Sequence, residues 1–504
     1  KGKNMSAIIT EKFRKHNADQ FHESFSEASA NAYYLFIGKA TAFTSSTTTG
    51  SDSSPPTPAD AVGEVQYYAW DSMLAAKKIT SSDIQFAIPR RNWTNGTVFD
   101  MYKHNISSSN TATSGASNLF DSTFYFMTSD FRVYKVLDNN GGTAFSGSEP
   151  TSESTSAFAL GGYVLKYMYK ISASDAAKYL TTDFIPVSTD STVSTAATDG
   201  AIESVVVTAG SGYTDGTYYA AVFGDGTNQG TSSGAIIRIT VSSGSIQSFG
   251  LTAGSDTTIH AAGASYTFGT VNLGDDFIFS DSSLSSSTTL GASGSGGAIE
   301  VIISPKEGHG NNAVTELGGH YVMTATTLSQ AEGDDLTTAN DFRQVGLVVD
   351  PTTFGTSTVA SITTARQTYV VKGSATSGTF EADEQIVQTS TGAVGKVVEF
   401  DSDRSLLYYQ QERFSGFGTS ATNSGFTAFS GTNLITGQTS GATLTPSSDT
   451  ETVTLANSNT LTLTTGYANP ELQPDSGNIV YLENRKPIQR DSDQTEDIKL
   501  IIEF

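Results

Sequence analysis

From about residue 198 the chain breaks into short β-like runs held between glycines, such as Ala235 to Val241, and this rhythm limits the fold more than any other feature. Runs so short, bounded by Gly, Ser and Thr, favour strands and turns over long helices. The composition extends the point to the whole chain: apolar residues make up 37%, Asp, Glu, Lys and Arg only 16%, and there are 48 glycines. A length of 504 residues suggests roughly three or four domains, each able to bury its own core. Weak internal similarity accompanies the rhythm. Gly212-Tyr213-Thr214-Asp215-Gly216-Thr217 resembles Ser265-Tyr266-Thr267-Phe268-Gly269-Thr270, and Gly234 to Ile239 resembles Gly297 to Ile302, as in a duplicated hairpin unit. Later, Gly378-Thr379-Phe380 through Thr391-Gly392-Ala393 parallels Phe426 through Thr439-Ser440-Gly441-Ala442. The economical division is two small β modules, 196–300 and 366–470, inserted into a core made of 1–195, 301–365 and 471–504. The expected fold is mainly β: an α+β, sandwich-like core with few helices, carrying the two modules.

The first 190 residues are the least repetitive part. Asn17 and Gln20 stand at capping-box spacing ahead of Phe21 and Phe25, predicting a helix near 18–28. Thr57-Pro58-Ala59-Asp60 gives an N-cap, an N1 proline and an N3 acid. Val62, Val65, Ala69, Met73 and Ala76 then follow along one stripe, predicting a helix near 58–78. Strands are expected at 33–39, 123–127, 131–137 and 163–171. The last residues, with Ile498, Leu500, Ile502 and Phe504 on one face, predict a closing strand.

With 28 Lys and Arg against 51 Asp and Glu, the net charge of −23 repels phosphate backbones and anionic lipid, so nucleic-acid binding is not expected. The absence of cysteine removes disulfides, iron–sulfur clusters, thiolate zinc sites and cysteine nucleophiles. No apolar run approaches the length of a membrane span, and the N-terminal residues lack a signal-peptide core. A soluble, non-secreted protein is expected, whose Asn92, Asn95 and Asn105 sequons carry no glycan. Met5 and a residue upstream of Lys1 both remain candidate starts.

Catalytic patterns are thin. The six histidines show no zinc spacing, and Gly308-His309-Gly310 with Gly318-Gly319-His320 reads as a turn whose imidazoles bond backbone. Gly230-Thr231-Ser232-Ser233-Gly234 satisfies G-x-S-x-G, but the run after it reads as strand where the nucleophile elbow needs a helix. Gly210-Ser211-Gly212 and Gly224-Asp225-Gly226 miss the dinucleotide fingerprint by one residue. Asp401-Ser402-Asp403 lacks the rest of a calcium loop, and the scattered carboxylates read as solvated acids. No cofactor, metal or catalytic residue is expected. The one basic and aromatic cluster is Ile88-Pro89-Arg90-Arg91-Asn92-Trp93. There Arg90, Arg91 and Trp93 suit ion pairing and stacking, within the fold or at a protein interface.

These residues, together with Ser6-Ala7-Ile8-Ile9-Thr10-Glu11-Lys12-Phe13-Arg14 and Tyr481-Leu482-Glu483-Asn484-Arg485-Lys486-Pro487-Ile488 followed by Asp493-Gln494-Thr495-Glu496, carry a resemblance. They look like the baseplate wedge subunit of T-even-type contractile-tailed phages, the gene-product-eight family. Gly161-Gly162-Tyr163 and Asp341-Phe342-Arg343-Gln344-Val345 resemble further strands of that family. The resemblance implies a non-enzymatic structural subunit of the virion tail baseplate, assembled in the host cytoplasm. It would be homodimeric and bridge neighbouring wedge and fibre-bearing proteins, without nucleic acid or membrane insertion. Arg90, Arg91, Trp93, Tyr481, Glu483, Asn484, Arg485, Pro487, Asp493, Gln494 and Glu496 are the candidate interface or fold-anchoring residues. The alternative, drawn from the Gly/Ser/Thr-rich modules, is a tail-associated adhesin that binds or cleaves glycans.

Overall fold

The structure, a computed structural model, describes residues 10–27, 31–43, 50–58, 64–248, 258–329, 341–413, 425–455, 459–489 and 495–504. Those residues hold 31 strands and five α-helices, the mainly β architecture the glycine rhythm implies. The chain divides into two compact units.

The first unit comprises Lys1–Gln20, Gln85–Met323 and Ile501–Phe504. Its centre is an antiparallel sheet in the order Tyr125–Met127, Arg132–Asp138, Tyr163–Lys170, Phe158–Leu160, close to the predicted strands. One face packs Val133, Val136, Leu165 and Tyr167 with Phe124, Phe126 and Leu317. The alternate residues Leu137 and Val164 belong to a second core with Val222, Ile237, Ile239 and Val301, as the two-residue period of strands requires. Around that second core Gly216–Gly224 pairs antiparallel with Ile236–Ser242, so the first repeat copy is a hairpin. The second copy is not: Gly269–Val271 pairs with Gly216–Gly224, whereas Ala298–Ile302 pairs with Ser204–Thr208. Similar sequence produced similar strands, and the long connection from 271 to 298 let them take different partners.

The second unit comprises Phe21–Ile84 and Thr324–Leu500. It contains a five-stranded antiparallel sheet in the order Thr364–Arg366, Met73–Ile79, Tyr33–Gly38, Phe342–Val349, Asn478–Ile488. Tyr33–Gly38 and Phe342–Val349 are buried along their whole length, which explains their near-continuous apolar sequence. The unit also holds a closed barrel in the order Leu406–Gln410, Ala393–Asp401, Gln385–Gln388, Ile435–Gly437, Thr443–Pro446, Tyr369–Ser377, sealed by pairing of the last strand with the first. The later sequence repeat is visible here. Each copy is a hairpin turning at Thr391-Gly392 or Ser440-Gly441, and the two hairpins pair through Ile386 and Gly437. Ala393 and Ala442, equivalent in the two copies, both lie in the barrel core.

Both helix expectations need correction. The first helix runs Glu11–Glu23, not 18–28, because Thr10 and not Asn17 ends it: the Phe13 N–H reaches the Thr10 hydroxyl at 3.3 Å. The second runs Glu64–Ser72, and Met73–Ile79 is a strand. Residues 59–63 of that expectation lie outside the described residues. Met73 to Ala76 are all buried against neighbouring strands, so an apolar run that fits a helical stripe satisfies a doubly covered strand better. The chain turns there because Gly38 lets it pass Ser72; a Cβ on Gly38 would sit 2.9 Å from the Ser72 carbonyl oxygen. The closing strand is present as Thr495–Glu503, with Ile498 and Leu500 buried.

Candidate interface and anchoring sites

Arg90, Arg91 and Trp93 follow the strand Ile84–Pro89 in the first unit, and the two half-buried guanidinium groups bond within it. Arg90 Nη1 donates to the Thr181 carbonyl at 2.7 Å and Nε to Asn92 Oδ1 at 2.9 Å. Arg91 Nη2 donates to the Phe120 carbonyl at 2.9 Å, and the guanidinium lies 4.5 Å from the Tyr125 ring centroid. Trp93 meets Phe145 edge to face at 5.8 Å. The backbone is pinned as well, through Trp93 N–H to Met127 O and Met127 N–H to Arg91 O. The two guanidinium groups thus donate to carbonyls of their own unit.

Tyr481, Glu483, Asn484, Arg485 and Pro487 stand on Asn478–Ile488, which ends the five-stranded sheet of the second unit. Asn484 is a hinge pin: its Oδ1 accepts from Gln344 Nε2 at 2.8 Å and its Nδ2 donates to Pro56 O at 2.9 Å. The Tyr481 hydroxyl donates to Glu483 at 3.0 Å. Pro487 falls where the register slips between Phe342 and Gln344, a place suited to a residue without an N–H. Arg485 is different. Its side chain is 48% exposed, and its Nε lies 3.7 Å from Glu483. Glu496 is half-buried in the final strand, whereas Asp493 and Gln494 lie outside the described residues.

The polar groups that sequence reasoning missed are the buried ones. In the first unit, Lys135 Nζ lies 2.9 Å from Glu316 Oε2 and 2.8 Å from His309 Nδ1. Lys166 lies beside them, 3.7 Å from Glu203. Burial pushes the Lys135 ammonium below its usual range, against the pull of Glu316, and pushes His309 well below the ordinary histidine value. His320 Nε2 is 3.3 Å from Arg14 Nη1. Both imidazoles thus meet side chains, where the glycine-flanked pattern implied backbone partners. Asp100 also looks inward: despite desolvation, four hydrogen bonds from Ser114 and Thr123 hold its carboxyl below the usual range. Beside Asp138 a cavity of about 290 Å³ is lined by Met101, Lys103, Asn139 and Val206, and burial pushes the Asp138 carboxyl up to about 6.

In the second unit Arg413 grips Asp71 through Nε and Nη2 and reaches Asp475 through Nη1 at 2.7 Å. Arg343, from the Asp341–Val345 segment, holds both oxygens of Asp52 at 3.0 Å. In the barrel, Glu384 accepts from the N–H groups of Thr439 and Ser440 and from the Ser440 hydroxyl, tying one repeat copy to the turn of the other. None of these pairs has a sequence signal, since the partners are far apart in the chain. The Gly230–Gly234 match opens onto the strand Ile236–Ser242 and forms no nucleophile elbow. No helix among the described residues is long and apolar enough to cross a membrane.

Each of these fixtures joins groups within its own unit. No curated protein matches the chain. The Phage-Gp8 family, described as Bacteriophage T4, Gp8, matches residues 7–148 and 447–504. Arg90, Arg91, Trp93 and the whole strand Asn478–Ile488 fall inside the matched segments, whereas Gly161–Tyr163 and Asp341–Val345 fall between them. The two terminal segments of the chain are thus similar to the bacteriophage T4 Gp8 family, and this similarity places it among the structural proteins of the baseplate wedge in the phage tail.

Proposed function

We propose that the protein is a non-enzymatic wedge subunit that dimerises and bridges neighbouring wedge and fibre-bearing proteins, with 196–300 and 366–470 as modules inserted into its core. The observation that carries the wedge reading is the family match at the two ends of the chain, 7–148 and 447–504; the unmatched stretch between them holds all of 196–300 and 366–446, while 447–470 falls within the match. A wedge protein works through large fixed interfaces, and the inward-turned cations and carboxylates described above supply rigidity that such interfaces require. On the last strand of the five-stranded sheet, Arg485 is the candidate for a contact with another chain, because its charge is exposed while Tyr481 and Asn484 are engaged within the unit. Module 196–300 presents Phe268, 58% exposed, on a turn fixed by Asp225 through Thr267 and Phe268 N–H groups. A rigidly displayed aromatic ring suits an accessory contact.

Sedimentation equilibrium of the full-length chain, alone and mixed with a wedge extract, tests the reading. A dimer that enters a larger assembly is expected. A stable monomer that ignores wedge components refutes it.

A further inference from the structure

Lys135 and Glu316 are an unusual pair in a chain that has no cysteine and so no disulfide to staple it. Their side chains are 0% and 2% exposed, and 181 positions of sequence separate them. The module 196–300 lies between the two. The groups around them resemble, in chemical function, the parts of an acyl-transfer site. The amine nitrogen is 2.9 Å from Glu316 Oε2. The other carboxyl oxygen, Oε1, accepts from the Gly310 N–H at 2.7 Å and the Asn312 N–H at 3.3 Å, donors placed where an oxyanion would develop. His309 Nδ1 stands 2.8 Å from the amine and 3.9 Å from Oε2, between the nucleophile and the leaving oxygen. Tyr102 closes the site, with its ring 4.0 Å from Lys135 Nζ and edge to face with His309 at 5.0 Å.

We propose that Lys135 and Glu316 condense to an intramolecular isopeptide bond that locks the core of the first unit across the inserted module. The reaction needs no oxidant or cofactor. One ammonium proton passes from Nζ to Oε2, leaving a neutral amine and a neutral acid. The nitrogen attacks Cδ, and the Gly310 and Asn312 N–H groups hold the oxygen that becomes negative. His309 Nδ1 takes a second proton from nitrogen and delivers it to the Oε2 hydroxyl. The Cδ–Oε2 bond breaks, water leaves, and the third proton stays on the amide. Burial favours the first and last stages, since it disfavours the charged amine and excludes the water that would reverse the step, while the Gly310 and Asn312 N–H groups offset the charge of the stage between. It also stabilises His309 as the neutral base, and Nε2 of this ring has no hydrogen-bond partner among the described residues.

Intact mass spectrometry of the full-length chain under denaturing conditions tests the proposal without any substitution. The expected mass falls short of the sequence mass by one water, and trypsin releases a branched peptide joining the Lys135 and Glu316 segments, uncut after Lys135. E316Q retains the oxygen held by Gly310 and Asn312 and is expected to close with loss of ammonia. K135M is expected at its full sequence mass. A native chain at full sequence mass with a free Lys135 overturns the proposal and leaves a buried ion pair. A water deficit that persists in K135M overturns it too, by placing the dehydration elsewhere.

Discussion

Replacing Arg413 by methionine is the most informative single change in the second unit. Methionine keeps most of the apolar stem but removes the contacts from Nε to both Asp71 oxygens, at 3.1 and 3.0 Å, and from Nη2 to Oδ1 at 2.7 Å. The Asp71 side chain, 2% exposed, is left as a buried carboxylate with the Arg413 backbone N–H, at 3.0 Å, still donating to it. Breaking a buried pair from one side costs about 3–5 kcal/mol, because the surviving charge is neither solvated nor paired. Lost stacking of the guanidinium on Tyr67 adds about 0.5–1 kcal/mol. The double variant Arg413→Met with Asp71→Asn removes the orphan charge, so its cost is expected to fall at least about 2 kcal/mol below the sum of the two single costs. Burial already pushes the Asp71 carboxyl up while Arg413 holds it down. Without the arginine its folded pKa rises further above the unfolded value. Proton uptake then favours the folded state, and the defect of R413M shrinks as pH is lowered from 8 toward 5. The assay is built in: Trp70, 4% exposed, belongs to the second unit and Trp93 to the first, so urea unfolding followed by fluorescence in a Trp93→Phe background reports the second unit. A cost below about 1 kcal/mol for R413M, or strict additivity in the double variant, refutes the reasoning.

Asp138→Asn is expected to stabilise the first unit at pH 7 by up to about 3 kcal/mol, since a folded pKa of about 6 lies above the ordinary aspartate value. The sign follows: the native group contributes fully below the unfolded pKa, and that contribution is lost as pH rises through 6. Thermal scans from pH 4 to 8 that show no convergence of variant and native at the acid end disprove it. Arg485→Glu is expected to leave the unfolding midpoint within about 0.5 kcal/mol while weakening self-association in sedimentation; an unchanged dimer removes this residue from the interface. Gly346→Ala places a Cβ 2.3 Å from the Phe36 ring and 2.8 Å from the Tyr481 carbonyl oxygen, and it should cost about 1–3 kcal/mol in the Trp70 assay, partly relieved by Phe36→Leu.

Strands were legible where the sequence had only one way to bury them. Tyr33–Gly38 and Tyr163–Lys170 are dense in Tyr, Leu, Phe and Val and read correctly from pattern alone. The stretch after Ser72 misled because alanines and a methionine satisfy a helical stripe and a fully covered strand equally, and only the strands on either side decide. The barrel hairpins were legible as repeats because the Thr391 and Ser440 turns keep the same spacing to a buried alanine. In the first unit the repeat identified strands but not partners, because pairing there depends on loop lengths that similarity does not encode. The terminal motifs carried the resemblance, and Arg90, Arg91, Tyr481 and Asn484 all make hydrogen bonds within their own unit. Arg91, for example, spends its charge on Phe120 O and the Tyr125 ring.

The buried ionic groups, invisible to sequence reasoning, share one property that accounts for their presence. Lys135 to Glu316, as the ion pair that precedes any condensation, and Arg413 to Asp71 join positions 181 and 342 residues apart. In each unit, then, such a pair fastens segments that the chain reaches only after a long excursion. Apolar packing alone would hold such segments together with little preference for register, since Val, Ile and Ala surfaces slide against one another at small cost. A charged pair that is satisfied in one alignment and orphaned in every other penalises the wrong alignments by several kcal/mol. With charged residues at only 16% of the chain, committing them to closure contacts is a selective use. It gives each unit a single return path for the chain after a long excursion.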